Sequence, residues 1–163
     1  MITNPSDVII ESVSRLTVPF IQLFGLYVIA HGHSSPGGGF QGGVIIAAAV
    51  ILLVLAFSWQ EAYQRFSERT LAVLAAMGVL IYVGTGLACV LAGGHFLEFG
   101  ALANWTGGDP AASRYGGQAI VEWGVGIAVM AIMTSLFLDL VTGGRHEEAF
   151  EDDADGHLEL VDP

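Results

Sequence analysis

The sequence predicts an all-α, polytopic membrane protein with four transmembrane helices. First, 53% of its 163 residues are hydrophobic and 13% are charged, where soluble proteins carry about 25% charged residues. Second, apolar runs of bilayer-crossing length recur, most plainly from Leu71 to Leu91, about 21 residues without a charge. Third, Pro-Gly-rich or polar segments separate these runs. Four spans occupy most of a chain this short, leaving no room for a separate soluble catalytic domain. The expected organisation is one transmembrane domain over residues 1–144 and an acidic tail over 145–163.

The first helix is expected over 5–30. Asn4 can cap it, Pro5 suits the first helical position and Asp7 suits the positive end of the helix dipole. Its first turns are amphipathic, with Val8, Ile9, Val13 and Leu16 set against Glu11, Ser12 and Arg15, so they should lie at the membrane interface. Pro19 should kink it. The start has no basic region and no small-residue cleavage site follows the first apolar run, so this span is expected to be retained.

A turn, HGHSSPGGG, leads into a second span over about 40–59, with Trp59 and Tyr63 as interfacial anchors. A polar connection, QEAYQRFSERT, carries Arg65 and Arg69 into the third span, 71–91. Residues 92–117 read as a long loop with a short interfacial helix, and the fourth span is expected over about 118–141. The tail, EEAFEDDADGHLELVDP, is too charged to bury apolar surface and is expected to be disordered.

The net charge of −11 comes from sixteen acidic residues against five arginines and no lysine. A nucleic acid partner is excluded on this count, because phosphates require a basic surface. Arg15, Arg65, Arg69 and Arg145 fall on the side of the termini and Arg114 alone on the other, which places both termini in the cytoplasm. Cys89, the only cysteine, lies in an apolar run and reads as a small buried hydrophobe.

Within the turn, Pro36, Gly37, Gly38 and Gly39 cannot continue the first helix. Gly39, Gly43 and Ala47 follow at intervals of four on one face of the second, the small-residue spacing that lets helices approach closely. Gly84, Ala88 and Ala92 repeat the pattern in the third span, and Gly116, Ile120, Gly124 and Ala128 do so less strictly in the fourth. These stripes serve packing, within the chain or against other subunits. The glycines lack the GK[ST] and preceding strand of a phosphate loop.

His31 and His33 point to different faces of a helix, and nothing near them in sequence completes a metal site. They stand at the membrane edge either as proton-relaying groups facing a hydrated path or as caps of the first helix. Glu122 lies about one turn into the expected fourth span, at the end facing the turn. A carboxylate there faces a protein interior or hydrated cavity, or else sits at the interface, stabilised by the helix dipole. Gln41 and Gln22 need hydrogen-bond partners at this depth. GxSxG, HExxH and paired carboxylates within the spans are all missing, so the sequence offers no enzyme site.

The stretch GLYVIAHGHSSPGGGFQGGVIIAAAV, residues 25–50, resembles the signature of the B subunit of Mrp-type multisubunit sodium/proton antiporters, the MnhB-like family. The likeness extends over about residues 15–142 and leaves out the acidic tail. It implies a small cofactor-free subunit of a cytoplasmic-membrane complex exchanging Na+ for H+, with large subunits resembling those of respiratory complex I. The turn residues Pro36, Gly37, Gly38, Gly39, Phe40, Gly42 and Gly43 would shape the helix junction. His31, His33, Gln41 and Glu122 would be candidates for the cation route. Similar subunits occur in membrane-bound hydrogenases and related respiratory complexes, where the role would be structural docking.

Overall fold

The computed structural model describes residues 5–32, 37–57 and 67–142. His33 to Pro36, the 58–66 stretch with Trp59 and Tyr63, and the acidic tail lie outside the described residues. Four long helices carry the fold: α1 (Pro5–Ala30), α2 (Gly39–Phe57), α3 (Glu68–Leu91) and α5 (Pro110–Thr142). Each is long and apolar enough to cross a membrane. A 3-10 turn (Phe99–Leu102) and a single-turn helix, α4 (Ala103–Thr106), lie between α3 and α5.

The helices do not pack in chain order. The last, α5, lies between α2 and α3 and packs on both, while α1 packs mainly on α2. Because lipid tails are as apolar as leucine, burial of apolar area does little to hold such helices together, and close contact must do so. The contacts fall at glycines. A Cβ at Gly42 would lie 2.7 Å from the Gly25 carbonyl oxygen, and one at Gly43 would lie 2.6 Å from that of Gly126. On the other side of α5, a Cβ at Gly78 would lie 2.5 Å from the Gly124 carbonyl oxygen. Three helix pairs are thus joined where backbones nearly touch.

The expected stripe in α3 is replaced by another. Gly84 is exposed and a Cβ there would meet nothing within 4 Å. Gly78, Gly86 and Cys89 are buried instead, Gly78 against α5 and Gly86 under the Phe96 ring. Two faces of α3 carry small residues, and α5 takes the one through Gly78. Gly116 in α5 likewise meets nothing, whereas Gly124 and Ala128 are buried.

The amphipathic start of α1 turns its apolar residues away from the bundle. Ile9, Val13 and Leu16 are exposed, and the small residue Ser14 is buried with Val18. The outward face of a membrane helix is apolar, so the packed face is read from small residues rather than from hydrophobic ones. Pro19 lies within α1 without ending it. At this end of the bundle the Arg15 guanidinium lies 5.0 Å from the centre of the Phe57 ring, and Val54, Leu71, Ala131 and Leu138 form a buried cluster.

At the opposite end, α3 stops in a glycine cap. Gly93 has φ of +90°, its N–H donates to Val90, and the Gly94 N–H donates to Cys89. This is the bond pair of a Schellman ending. Asn104 Nδ2 donates to the Ala92 carbonyl oxygen at 3.0 Å, and the Phe99 ring covers Gly117, so the connection folds back over the bundle. The long loop expected up to residue 117 is shorter, because α5 starts at Pro110. Proline suits a first helical position, and Asp109 Oδ1 accepts the Ala111 N–H at 3.2 Å.

Filling a crossing tests this packing. Gly43→Leu and Gly78→Leu should each cost about 1–3 kcal/mol or more by overpacking and deplete the chain from membranes. Gly84→Leu should leave the level of membrane-inserted chain unchanged. Immunoblots of membrane fractions before and after mild heating measure both, and equal loss from all three would reject the assignment of faces.

Candidate functional site

The start of α2, the end of α1 and the first half of α5 converge on Glu122. Its neighbours on the facing elements are glycines: a Cβ placed at Gly32 would collide with the carboxylate, with Cδ at 2.6 Å, and would also approach the Gly38 Cα at 2.7 Å. A Cβ at Gly38 would sit 3.7 Å from Glu122 Cδ, an ordinary contact. Gly39 faces the Glu122 backbone, so that a side chain there would strike its carbonyl oxygen. None of these three has φ in the left-handed region, so the glycines answer a demand for space and not for backbone freedom.

The two carboxylate oxygens are in different situations. Oε1 accepts a hydrogen bond from Gln118 Nε2 at 3.1 Å, one helical turn toward the start of α5. Oε2 is buried and has no hydrogen-bond partner among the described residues. A buried acceptor without a donor costs about 1–3 kcal/mol, and more when the group is charged. The first turn of α2 starts beside this carboxylate, and the positive end of a helix dipole favours a negative group there.

The other residues singled out in the sequence are spread around this seat. His31 is exposed, its ring centre 4.2 Å from that of Tyr27, and with the proton on Nδ1 it donates to the Tyr27 carbonyl oxygen at 3.2 Å. Gly32, between the histidines, meets Glu122. Gln41 is exposed, its Oε1 lying over Gly37, where a Cβ would be 2.5 Å away. Phe40 is 64% exposed, while Gly39, Gly42 and Gly43 are buried. His33 and Pro36 lie outside the described residues.

Gly32 and Gln118 were not among the sequence candidates. The only sign of Gln118 was its spacing, four residues before an acid on the same helix. Gly32 carried no chemical sign, since its part in the site is the volume it leaves free. Among the described residues no group of three or more His, Cys, Asp or Glu could hold a metal ion.

Four helices long and apolar enough to cross a membrane, one of them carrying a carboxylate packed against glycines of the α1–α2 junction, define a polytopic membrane protein. The family profile described as "Domain related to MnhB subunit of Na+/H+ antiporter" matches residues 9–135. The chain is 32% identical over 140 residues to antiporter subunit mnhB2 of Staphylococcus epidermidis, covering 86% of this chain and 97% of the relative. It is 30% identical over 140 residues to antiporter subunit mnhB2 of Staphylococcus aureus strain Newman, with the same coverage. The chain belongs to the MnhB family of Na+/H+ antiporter subunits. It is a multi-pass transporter component and not an enzyme, and it works among other antiporter subunits.

The seat makes a distinction between neighbouring glycines. Gly38→Ala should leave assembly of the antiporter near wild type, because its methyl meets only ordinary contacts. Gly39→Ala should deplete the complex severalfold, because its methyl meets backbone that cannot move aside. Native electrophoresis of solubilised membranes compares the two, and equal behaviour would reject this geometry.

Proposed function

We propose that this subunit contributes Glu122 and the α1–α2 turn to the route by which the antiporter exchanges Na+ for protons. The observation that carries the reading is the Glu122 carboxylate, with Oε1 held by Gln118 and Oε2 buried against Gly32 and Gly38 without a hydrogen-bond partner among the described residues. An acceptor in that position is relieved by a proton or a small monovalent cation. An acid that alternates between the two serves an exchange reaction. His31, exposed at the end of α1, Gln41, exposed in the first turn of α2, and His33 in the turn between them would stand on the approach to this acid.

The arginine distribution supports both termini in the cytoplasm of a cell-membrane protein, with the turn and the α3–α5 connection on the outer side. The partners on this reading include large complex-I-like subunits. They would supply the lysine of a proton path, since this chain has none.

A second reading, a docking subunit of an antiporter or of a related hydrogenase or respiratory complex, draws on the exposed apolar faces of α1 and α3. Phe20, Leu23 and Phe24 on α1 and Leu80, Leu87 and Leu91 on α3 are all more than half exposed. On that reading Glu122 only completes the helix junction. Isolation of the native complex in mild detergent and identification of its other subunits distinguishes an antiporter from a hydrogenase.

Glu122→Gln preserves volume and removes the charge. In everted membrane vesicles it should lower Na+-dependent proton movement on the order of tenfold or more, while native electrophoresis shows wild-type amounts of complex. Unchanged transport at normal assembly would remove Glu122 from the route and favour docking.

A further inference from the structure

We propose that Gln118 is a positioning residue for Glu122: it holds Oε1 at the outer surface of the bundle so that Oε2 stays in the notch against Gly32 and Gly38. Its functional meaning rests on the reading of Glu122 as an acid of the cation route. The contact itself does not.

The argument begins with where the acid could go. A glutamate side chain on a helix has three rotatable bonds, and ordering such a side chain costs up to about 2 kcal/mol of conformational entropy. The notch meets Oε2 with backbone at Gly32 and Gly38, and among the described residues no donor reaches that oxygen. Shape excludes some rotamers, and the dipole of α2 favours the charge without selecting one oxygen over the other. The directed contact falls on the other oxygen. Gln118 Nε2 donates to Oε1 at 3.1 Å from one turn earlier on α5, a donor fixed to the same helix as its acceptor.

The exposure of the pair gives the arrangement its direction. Gln118 is exposed and Glu122 partly buried, so the carboxyl group spans from the surface of the bundle to its interior. With Oε1 tethered at the surface, the unpartnered oxygen points inward, where a proton or cation would bind. Without the tether, Oε1 and Oε2 exchange places freely and the acid is free to leave the notch for the surface. A hydrogen bond to a carboxylate is among the stronger ones in a protein, and it changes the vibration of the group it binds.

Infrared difference spectroscopy of the assembled antiporter in nanodiscs, recorded with and without Na+, tests this. The band of Glu122, as the neutral carbonyl stretch or the ionised antisymmetric stretch, is identified by its absence in Glu122→Gln. Gln118→Met keeps length and removes the donor. It should move that band, to higher wavenumber where it is the neutral carbonyl stretch, and lower Na+-dependent proton movement about tenfold at normal assembly. Gln118→Asn, too short to reach, should behave as Gln118→Met.

A band unmoved in Gln118→Met overturns the proposal, whatever happens to transport. A moved band with full transport, while Glu122→Gln is inactive, overturns it equally, because the acid then works without being held. If Glu122→Gln itself transports normally, the cation-route reading fails. The band shift in Gln118→Met then still decides whether Gln118 holds the acid.

Discussion

Close approach of helix backbones is the constraint on which this subunit depends. In water, a bundle gathers because its apolar faces leave the solvent, but a bilayer removes that drive and leaves van der Waals contact and hydrogen bonding. Three crossings supply the contact, Gly25 on Gly42, Gly43 on Gly126 and Gly78 on Gly124. They run in series from α1 through α2 and α5 to α3. The same closeness continues upward at Gly39 against the Glu122 backbone, so the site is an extension of the packing and not an addition to it.

This continuity explains the composition of the turn. Glycines in a helix-to-helix connection are usually attributed to left-handed backbone conformations, yet positive φ among the described glycines occurs at Gly93 and Gly107, in the α3–α5 connection. In the α1–α2 turn the missing side chains make space for an acid. Among the described residues the carboxylate meets the backbone of Gly32 and Gly38 on one side and the Gln118 amide on the other.

The sequence revealed the number of spans because lipid imposes long uninterrupted apolar helices, and Leu71 to Leu91 could be little else. The start of α5 was hidden, although Asp109-Pro110 is a helix-opening pair, because the following Ala-Ala-Ser-Arg-Tyr-Gly-Gly has no apolar periodicity. The packed face of α3 was ambiguous, since Gly84 and Ala88 offered as good a stripe as Gly78 and Gly86. Only the position of α5 decides between them. Glu122 stood out as an acid in a span. Gly32 did not, because a cavity wall leaves no chemical mark in a sequence. The neighbour order of the helices was likewise invisible, since spans of similar hydropathy do not announce their partners.

That order has a consequence for biogenesis. The helix that joins α2 to α3 is the last to leave the ribosome, so during synthesis the α1–α2 pair and α3 enter the bilayer with no common partner. Until α5 arrives, Gly43 and Gly78 face lipid and the notch lacks its acid. The nascent chain is then two separate pieces, and arrival of one segment closes both halves and seats Glu122 together. Completion of the seat around Glu122 and completion of the packing are one event, so a chain stalled before α5 carries neither the Gly43 and Gly78 crossings nor the acid.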